Sequence, residues 1–572
     1  FEVAWAPTMG ALSHIFEKDN DPEIIDLCLE GLKNATKLAC RFDFPIVRAT
    51  YINALCKSTA LDMTRELNWK NAKATQTMLE IALTEGEHLD ESWNEILGCI
   101  SQLAKLLFSA SGFQSDDIFF SQADTQSEVE SSGFLGLLSG PSATETTKIV
   151  EEANCELISN VVSITEIDQI YNKSQQLSGQ SVQFFVSALC AVSIQEITKL
   201  SSKDVNPAPR VFSLQKLVEV ADFNMHSRSR IEWSNIWNLL ATHFTVVGTD
   251  SNHSLAMYAI DSLKQLSIKF LQKEELSNFN FQRVFLKPFE TIIAKSKSSE
   301  IKHLVIGCIE VMILTSANNI RSGWRTIFAI LEQCNQASID VATEALDVVQ
   351  RLMSTRFECV LQDFVEVTNC LVSFTESAHS ALSENALIMI AFCADKLATS
   401  GDKADKADKE DRPDSVSISI VDEDASVFRL WWPLLLGLST RVGDSRLDIR
   451  LKALEILHNI LRTYCNLFSL DAWTMIFKGI LFPILDSAKI ESYIQKSSSY
   501  PAENPFVAAN NDSWIDTVGL KVFHLYVELF QKITFAKKYE IVLPELLNTL
   551  ENCICQEMEP LARMGMSIFG DL

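Results

Sequence analysis

A short pattern of residues recurs along the chain and restricts what it can fold into. Each copy has an aliphatic residue, three variable positions, Ala or Cys, a second aliphatic residue, a carboxylate, one variable position and another apolar residue. Residues four apart share one face of an α-helix, so the first aliphatic residue and the small residue are predicted to share a buried stripe, with the carboxylate toward solvent. The small residues of the five copies are Cys28, Ala259, Cys308, Ala345 and Ala453.

The spacing of these copies indicates a repeat architecture. Ala259, Cys308 and Ala345 are separated by 49 and 37 residues, and a weaker copy, from Leu387 to Ala391, ends 46 residues after Ala345. HEAT and armadillo repeats, whose helix pairs stack into a solenoid, have periods of about 40–47 residues. The low content of Gly (19) and Pro (14) in 572 residues supports long helices and excludes a turn-rich β architecture. The sequence therefore predicts an all-α fold, an α-solenoid of HEAT/armadillo-like helical repeats.

Composition divides the predicted solenoid into three helical blocks, at residues 1–110, 148–400 and 427–572. Between them, residues 111–147 are rich in Ser and acidic residues and lack apolar periodicity, so we expect a flexible loop. Residues 401–426 contain repeated Asp-Lys triplets, which predict an acidic low-complexity linker. Leaving this linker out of the interval between Ala391 and Ala453 restores the repeat spacing, so we interpret it as an insertion that does not end the solenoid.

Net charge and cysteine content indicate which partners the chain can bind and which cellular compartment it occupies. The formal net charge of −25 argues against a general nucleic-acid binder, which would have a basic surface. The 14 cysteines are mostly isolated, which is typical of small buried thiols in a reducing compartment. The apolar runs are too short for a membrane-spanning helix, and the first residues contain neither an initiator Met nor a signal-peptide pattern. We expect a fragment of a longer intracellular protein that is soluble but able to lie on a membrane surface.

Signatures of catalysis and of metal binding are missing from the sequence. It contains no phosphate-binding Gly-rich loop, no Gly-x-Ser-x-Gly elbow, no Cys-x-x-Cys pair and no His-Glu-x-x-His motif. His303, His458 and His524 lie in helical patterns and are interpreted as ordinary helix residues, while Cys553 and Cys555 would point apart on a helix. We identify no catalytic, cofactor-binding or metal-binding residue and expect no cofactor. An enzyme of unrecognised type is the least favoured alternative.

One segment is basic in this acidic chain. From Lys264 to His303 there are eight Lys or Arg residues and four Glu residues. The simpler interpretation is the solvated face of two helices. The alternative is a surface that contacts an anionic membrane or an acidic partner, which the rest of the chain would repel. The candidate contact residues under this hypothesis are Lys287, Lys295, Lys297 and Lys302.

A set of segments carries a family resemblance: residues 1–5 with 30–31, 278–290, 319–324, 432–439, 444–448, 481–486 and 561–563. In sequence and in order, these segments resemble the large guanine nucleotide-exchange factors for Arf GTPases, most closely the brefeldin A-inhibited (BIG) group of the trans-Golgi network. The third of these contains Arg321-Ser322-Gly323-Trp324, which also looks like a helix start with Asn or Ser as the capping residue. The resemblance fails at 109–147 and 401–426, and the Phe-Arg-Leu-Pro-Gly-Glu loop of the exchange domain, with its catalytic glutamate, is absent.

The resemblance implies a non-catalytic regulatory region located downstream of the exchange domain. Such a region restrains the exchange domain and releases it when a GTPase that prefers the released state binds. The implied partners are Arf-family or Rab GTPases in the GTP state, the protein's own upstream exchange domain and the Golgi membrane surface; nucleic acid is not implied and a homodimer is left open. The implied location is cytoplasmic and peripheral on Golgi and trans-Golgi network membranes. The alternative is a HEAT-repeat scaffold or transport receptor without exchange activity, which would wrap basic peptides.

Overall fold

The structure, a computed structural model, describes residues 1–61, 66–110, 143–198, 210–272, 275, 280–407, 420–484, 528–529, 543–555 and 559–571. Every regular element in these ranges is helical and no strand occurs in them. The predicted all-α class is therefore confirmed. The chain divides into two compact units: unit 1 consists of Phe1–Lys273 with Lys287–Lys295, and unit 2 consists of Glu274–Leu286 with Ser296–Leu572.

Unit 1 is a stack of helices in two layers. Its described helices are α1 (Trp5–Lys18), α2 (Pro22–Arg41), α3 (Pro45–Thr59), α4 (Trp69–Glu85), α5 (Trp93–Ala110), α6 (Ala143–Ser159), α7 (Ile164–Asn172), α8 (Gly179–Thr198), α9 (Phe212–Ser227), α10 (Arg230–Gly248), α11 (His253–Leu271) and α13 (Lys287–Lys295). One layer contains α2, α4, α7, α9 and α11, and the other contains α1, α3, α5, α8, α10 and α13. Each helix packs on its neighbours within its layer and across the layers, which is the arrangement of a helical-repeat solenoid.

Unit 2 repeats this arrangement. Its described helices are α12 (Phe281–Phe285), α14 (Ser299–Ser316), α15 (Gly323–Cys334), α16 (Ile339–Thr355), α17 (Phe364–Thr375), α18 (Ser380–Ala407), α19 (Ile420–Val442), α20 (Leu447–Thr463), α21 (Leu470–Ile476), α22 (Leu543–Ile554) and α23 (Glu559–Asp571). Helices α14, α16, α18 and α20 form one layer, and α12, α15, α17 and α19 form the other. The prediction of HEAT/armadillo-like repeats is thus confirmed in both units.

The small residues of the repeated sequence pattern lie inside the helix stacks. Their exposed fraction is at most 3% at all five copies. In unit 2 the copies on α14, α16 and α20 belong to one layer, as does the weaker copy on α18, whose small residue Ala391 is only half-buried. The first aliphatic residue is buried at Leu255, Val341 and Ile449, but Ile24 is 38% exposed and Leu304 is half-buried. The predicted buried stripe is therefore wrong at Ile24, because α2 has only one neighbour, α4, within its layer in the described part of unit 1.

Arginine side chains connect consecutive helix pairs at their turns. In unit 1, Arg228 donates from Nη1 to the carbonyl of Leu177 (2.5 Å) and from Nη2 to that of Ser174 (2.6 Å). In unit 2, Arg446 donates in the same way to the carbonyls of Ser377 (2.5 Å) and Thr375 (2.7 Å). Carbonyls at helix ends lack partners within the helix. Each arginine therefore donates hydrogen bonds from the turn of one helix pair to backbone carbonyls at the turn of the preceding pair.

The start of α15 is held by Gln282 and Glu275 and not by an arginine. Gln282 accepts at Oε1 from the backbone N–H groups of Arg321 (2.8 Å) and Gly323 (3.4 Å) and donates from Nε2 to the Asn319 carbonyl (2.9 Å). Glu275 accepts from the Ser322 N–H (2.9 Å) and hydroxyl (2.7 Å). The helix start at 321–324 is confirmed, but the Ser322 side chain makes no capping bond to its own helix. Two side chains more than 35 residues earlier supply the partners instead.

Helix α8 is long and apolar enough to cross a membrane by length and composition alone. Half of this segment is buried within unit 1, however, where Val182, Phe185 and Leu189 are completely enclosed. It packs against α5, α9 and α10. We therefore assign α8 to the helical core of unit 1.

The two predicted polar segments fall largely outside the described residues. Within 111–147 the structure describes only the start of α6 at Ala143, and within 401–426 it describes the end of α18 at Ala407 and the start of α19 at Ile420. The expected loop and linker stay predictions, as do the three block boundaries. The two compact units do not coincide with these blocks.

Candidate contact surfaces

Lys287 and Lys295 are the first and last residues of α13, in unit 1. The helix buries four apolar side chains and leaves both lysines exposed. One of the four, Ile292, reaches α10 at Gly248, where an added Cβ would lie 2.6 Å from Ile292 Cδ1. An added Cβ at Gly248 would force the flexible end of Ile292 to move, so the glycine eases the close approach of α13 to α10.

Lys297 and Lys302 lie at the start of α14, in unit 2. Lys297 is exposed and precedes Ser298, whose hydroxyl accepts from the Ile301 N–H (3.4 Å) and caps the helix. Lys302 is half-buried on the next turn. Burial raises the pKa of the Cys334 thiol to about 12, and the nearby Lys302 ammonium opposes this rise.

Ion pairs divide the basic segment into two groups. Three lysines are paired with a carboxylate at 2.6–2.8 Å: Lys264 with Asp261, Lys269 with Asp222 and Lys287 with Glu290. Arg283, Lys295, Lys297 and Lys302 make no ion pair with any residue that the structure describes, and Lys273 lies outside the described residues. Of the four predicted contact residues, Lys287 therefore has its charge balanced locally, although 60% of its side chain is exposed.

The four candidate lysines are divided between the two units. Lys287 and Lys295 belong to unit 1, whereas Lys297 and Lys302 belong to unit 2. The hypothesis that they act as one contact surface stays a prediction. Within each unit, the local fold does place its pair toward solvent at least in part.

A groove on unit 1 is a second candidate surface, which was not predicted. Helices α2 and α4 pack closely, whereas α1 and α3, in the other layer, meet at few points and leave a groove of about 860 Å³. Its walls carry mostly small or uncharged side chains: Met9 and Ser13 of α1, and Ile46, Ala49, Thr50, Asn53 and Ala54 of α3. At its polar end are Glu17, Lys57 and Glu66.

Helix α1 is held against unit 1 mainly at its two ends. The Tyr51 hydroxyl donates to the Trp5 carbonyl (2.9 Å), and the Lys70 ammonium donates to the carbonyls of Phe16 and Asp19 (2.9 Å each). Phe16 is the buried side chain of α1. From Val3 to Ser13 the sequence has no charged residue, although 22% of the whole chain is charged. This uncharged run is the sequence feature from which a contact surface on α1 could have been predicted.

No assembly of reactive groups is present in the part of the chain that the structure describes. No group of three His, Cys, Asp or Glu residues is placed there to hold a metal ion. His303 is hydrogen-bonded to Glu344, and His458 Nε2 lies 3.2 Å from Glu528 Oε2. Both are helix residues with a polar partner, as interpreted from the sequence. His524 and the side chain of Cys553 lie outside the described residues.

Several known proteins are similar in sequence to this chain along nearly its entire length. A family model described as Mon2/Sec7/BIG1-like, HDS, matches residues 269–351. The chain is 30% identical to brefeldin A-inhibited guanine nucleotide-exchange protein 2 of Arabidopsis thaliana, covering 99% of this chain and 34% of that protein. It is 32% identical to the ADP-ribosylation factor guanine nucleotide-exchange factor sec71 of Schizosaccharomyces pombe, covering 100% and 31%.

A human relative gives the same result: brefeldin A-inhibited guanine nucleotide-exchange protein 1 of Homo sapiens is 31% identical, covering 99% of this chain and 30% of that protein. The chain thus spans about a third of the length of these relatives. The range of the family-model match contains Glu275, Gln282 and the start of α15, which are joined by the hydrogen bonds described above. The chain is therefore homologous, over nearly its whole length, to about one third of the larger BIG- and Sec71-type Arf exchange factors, and residues 269–351 match a Sec7-like HDS region.

Proposed function

We propose that this chain is a non-catalytic regulatory solenoid of an Arf guanine nucleotide-exchange factor. In this role it recruits the exchange factor to Golgi membranes in response to a GTP-loaded Arf-family or Rab GTPase. The observation that carries the proposal is the similarity to BIG- and Sec71-type exchange factors over 99% or more of the chain. The helical repeats of both units support it, since solenoids offer extended surfaces for protein partners.

Lys295, Lys297 and Lys302 support a membrane or partner contact. The chain carries a formal charge of −25, so an anionic membrane repels most of it. Lys295, Lys297 and Lys302 lie in the basic segment and make no ion pair with any carboxylate that the structure describes, so they can attract an anionic surface locally. A basic residue close to an anionic membrane contributes about 1 kcal/mol, and this attraction fades within a Debye length of about 8 Å at physiological salt. Short-range attraction of this kind reinforces binding to a GTPase that is itself on the membrane.

In the full-length protein, regulation follows from thermodynamic linkage between GTPase binding to the solenoid and release of the exchange domain. A GTPase that binds the solenoid more tightly when the exchange domain is released shifts the population toward the released state by its difference in affinity. Control of autoinhibition through the protein's own exchange domain is therefore part of the proposal. A homodimer is compatible with it but is not required.

Co-sedimentation with liposomes tests this function. The liposomes carry membrane-anchored Arf loaded with GTP or with GDP, and the chain is compared with a Lys295→Glu/Lys297→Glu/Lys302→Glu variant. We expect binding to GTP-loaded liposomes that is weakened at least tenfold in the variant, because three attractive charges of about 1 kcal/mol each become repulsive. The bound fraction at several ionic strengths measures the electrostatic share.

The matched control reverses three other lysines of unit 1 that belong to no ion pair, Lys18, Lys37 and Lys105. It changes the net charge by the same amount at other sites and should bind as the wild-type chain does. Equal binding to GTP- and GDP-loaded liposomes would contradict nucleotide-dependent recruitment. Equal loss in both variants would contradict the assignment of these three lysines.

A further inference from the structure

The exposed sides of α8 and α10 carry no charged residue over most of their length. Residues 179–195 and 233–248 contain no Asp, Glu, Lys or Arg, although 22% of the whole chain is charged. The two helices are neighbours in one layer of unit 1, and both reach solvent along their length. The polar groups on these sides are the carboxamides and hydroxyls of Asn, Gln, Ser and Thr. Depletion of charge on an exposed surface is typical of the centre of a protein interface.

The other layer of unit 1 has the opposite character. Ion pairs join the exposed sides of its successive helices: Asp26 with Lys73, Lys33 with Glu80, Asp168 with Lys216, and Asp222 with Lys269. Among the described residues, no ion pair joins α8 to its neighbours α5 and α10, since the charged residue of α8, Glu196, is buried and lies near Arg210. One layer thus uses its polar groups to connect its own helices, and the other leaves them available.

Four carboxamide side chains of the second layer form a row across successive helices: Asn53 of α3, Asn94 of α5, Gln183 of α8 and Asn235 of α10. The four helices run in the same direction, because each is the second helix of its pair. Contacts between neighbouring helices fix their relative heights: Cys99 Sγ with the Cys56 carbonyl (3.9 Å), the rings of Trp93 and Phe185 (4.8 Å), and Gly179 with the Glu232 side chain. Measured from these contacts, neighbours in the row differ by at most three residues, or about 4.5 Å along the helix axis.

The carboxamides of the row can all bond a partner. The side chains of Asn53 and Asn235 make no hydrogen bond with any residue that the structure describes. Gln183 Nε2 and Asn94 Nδ2 each donate to a backbone carbonyl three or four residues earlier (2.9 and 3.1 Å), which orients both side chains. Each of these two keeps its amide oxygen and one N–H for a partner. Side chains oriented in advance lose less conformational entropy on binding.

We propose that this row binds an extended peptide segment of a partner protein through hydrogen bonds to the peptide backbone. A carboxamide offers a donor and an acceptor, which match the C=O and N–H of a peptide residue. Helices packed side by side are about 8–10 Å apart, and an extended chain rises about 3.3 Å per residue. Successive carboxamides therefore meet about every third residue of a peptide that crosses the helices. The distance from α3 to α10 corresponds to about nine peptide residues.

The surface also describes the side chains of the peptide. Where the peptide crosses α8 and α10 it is uncharged, because a charged side chain would lose water there without meeting an opposite charge. Beside the row, Glu95 is exposed and pairs with no cation that the structure describes, so a Lys or Arg of the peptide fits at α5. At α3 the row reaches the groove on unit 1, whose lining includes Asn53 and is mostly polar.

Peptide selection tests the proposal. The 572-residue chain is presented with a phage library of random peptides of about twelve residues, slightly longer than the row. Enriched peptides are synthesised with a fluorescent label and titrated by anisotropy. A Gln183→Ala/Asn235→Ala variant should bind them about tenfold more weakly or worse, because it removes two sets of backbone hydrogen bonds. The matched control, Asn34→Ala/Gln215→Ala, removes the same residue types from exposed positions of α2 and α9 in the other layer and should bind as the wild-type chain does.

Two further measurements test how the peptide is held. N-methylation of one backbone nitrogen at a time removes a single N–H donor, and we expect affinity to fall at positions spaced three residues apart. Gln183→Glu/Asn235→Asp keeps the size of both side chains but removes their donors and adds charge. This variant should also bind at least about tenfold more weakly, which separates loss of the hydrogen bonds from loss of shape.

Several results would overturn the proposal. These are the absence of any enriched peptide, equal binding by the test and control variants, and N-methylation losses without a spacing of three. Self-association of the chain that the test variant abolishes would identify a second copy as the occupant, and loss of binding to phosphatidylcholine vesicles would identify lipid. The selection contains no GTPase and no membrane, so its outcome is independent of the proposed recruitment by GTP-loaded Arf.

Discussion

The Nη2 atom of Arg446 lies 2.7 Å from the carbonyl oxygen of Thr375, the last residue of α17. The same guanidinium is held by Asp444, whose Oδ1 accepts from Arg446 Nε at 3.0 Å. Burial raises the pKa of Asp444, but the hydrogen bonds and charges of Arg446 and Arg441 outweigh it and hold this pKa below its usual value. One arginine thus joins the turn before α20 to the end of the previous helix pair.

Replacing Arg446 with Met should loosen this junction. The substitution keeps an unbranched apolar side chain but removes every donor, so the Thr375 carbonyl loses its donor from Arg446 and the Ser377 carbonyl keeps only the Ser383 hydroxyl (3.1 Å), at a cost of about 2 kcal/mol. Hydrogen exchange of peptides from α17 and α18 should accelerate accordingly. Arg462→Met is the control: Arg462 is 56% exposed and pairs with Glu528 at 3.2 Å, and loss of a surface ion pair costs less than about 1 kcal/mol.

His243 should make the stability of unit 1 depend on pH. Burial lowers the pKa of this histidine from 6.5 to about 4, and its Nε2 has no hydrogen-bond partner in the structure. Between these two values the unfolded chain binds a proton that the folded chain does not. The stabilisation is therefore complete above pH 6.5 and is lost as the pH falls toward 4, by about 3 kcal/mol in total.

The His243→Leu variant should lack this loss. Hydrogen exchange of α10 would be compared with the wild-type chain at pH 7 and pH 4.5, after correction for the intrinsic effect of pH on exchange. The control is His226→Leu, at an exposed position of α9. A wild-type chain that loses no more stability on acidification than His243→Leu would show that His243 is protonated in the folded state.

Glu196 should be the most sensitive polar residue of unit 1. Its buried carboxylate, near the end of α8, accepts from the Ser213 N–H (3.0 Å) and hydroxyl (2.8 Å) and from the Ser101 hydroxyl, with Arg210 3.7 Å away. Glu196→Ala leaves three donors without their acceptor and removes the carboxylate beside Arg210, which keeps its hydrogen bond to the Ser101 carbonyl (2.8 Å); the expected cost is about 3 kcal/mol. Glu196→Gln keeps an acceptor and should cost less. Urea unfolding followed by exchange in α8 and α9 measures the difference, and equal effects of both substitutions would rule out the hydrogen bonds as the cause.

Lys70 should control the order of α1. Lys70→Met removes the donor to the carbonyls of Phe16 and Asp19, and hydrogen bonds from a charged group are worth about 2 kcal/mol, so exchange in α1 should rise about thirtyfold. Lys73→Met on the same helix is the control, because Lys73 is 43% exposed and lies 3.7 Å from Asp26. Unchanged exchange in α1 with Lys70→Met would mean that the hydrogen bonds of Lys70 contribute little to the order of the helix.

The repeat pattern predicted the fold because the spacing of residues within one helix determines which of its faces is buried in a helix stack. Cys308 and Ala345 are small and follow an aliphatic residue by four positions, which is enough to place them inside any stack of this type. Ile24 obeys the same pattern and is exposed, since its burial depends on a neighbouring helix and not on α2 itself. The pattern thus predicts which face turns inward but not whether a partner covers it.

The contact surfaces were harder to predict for a related reason. Counting basic residues singled out Lys287 together with Lys297, but the first pairs with Glu290 in the next turn and the second has no carboxylate near it in the described structure. The partners of the α15 start, Gln282 and Glu275, are about 40 residues away in sequence and carry no local signal. Hydrogen bonds between residues so far apart in sequence depend on how the helix pairs stack, and the composition of a segment does not predict that stacking.

The arginine bridges at Arg228 and Arg446 each join a helix pair to the pair before it and to nothing further away. Each repeat of a solenoid contacts only its neighbours, so loss of one bridge is expected to loosen the two helix pairs that it joins and to leave more distant pairs in place. Damage at a turn such as 444–446 therefore stays local, and the stack tolerates a change at one junction without losing its other repeats.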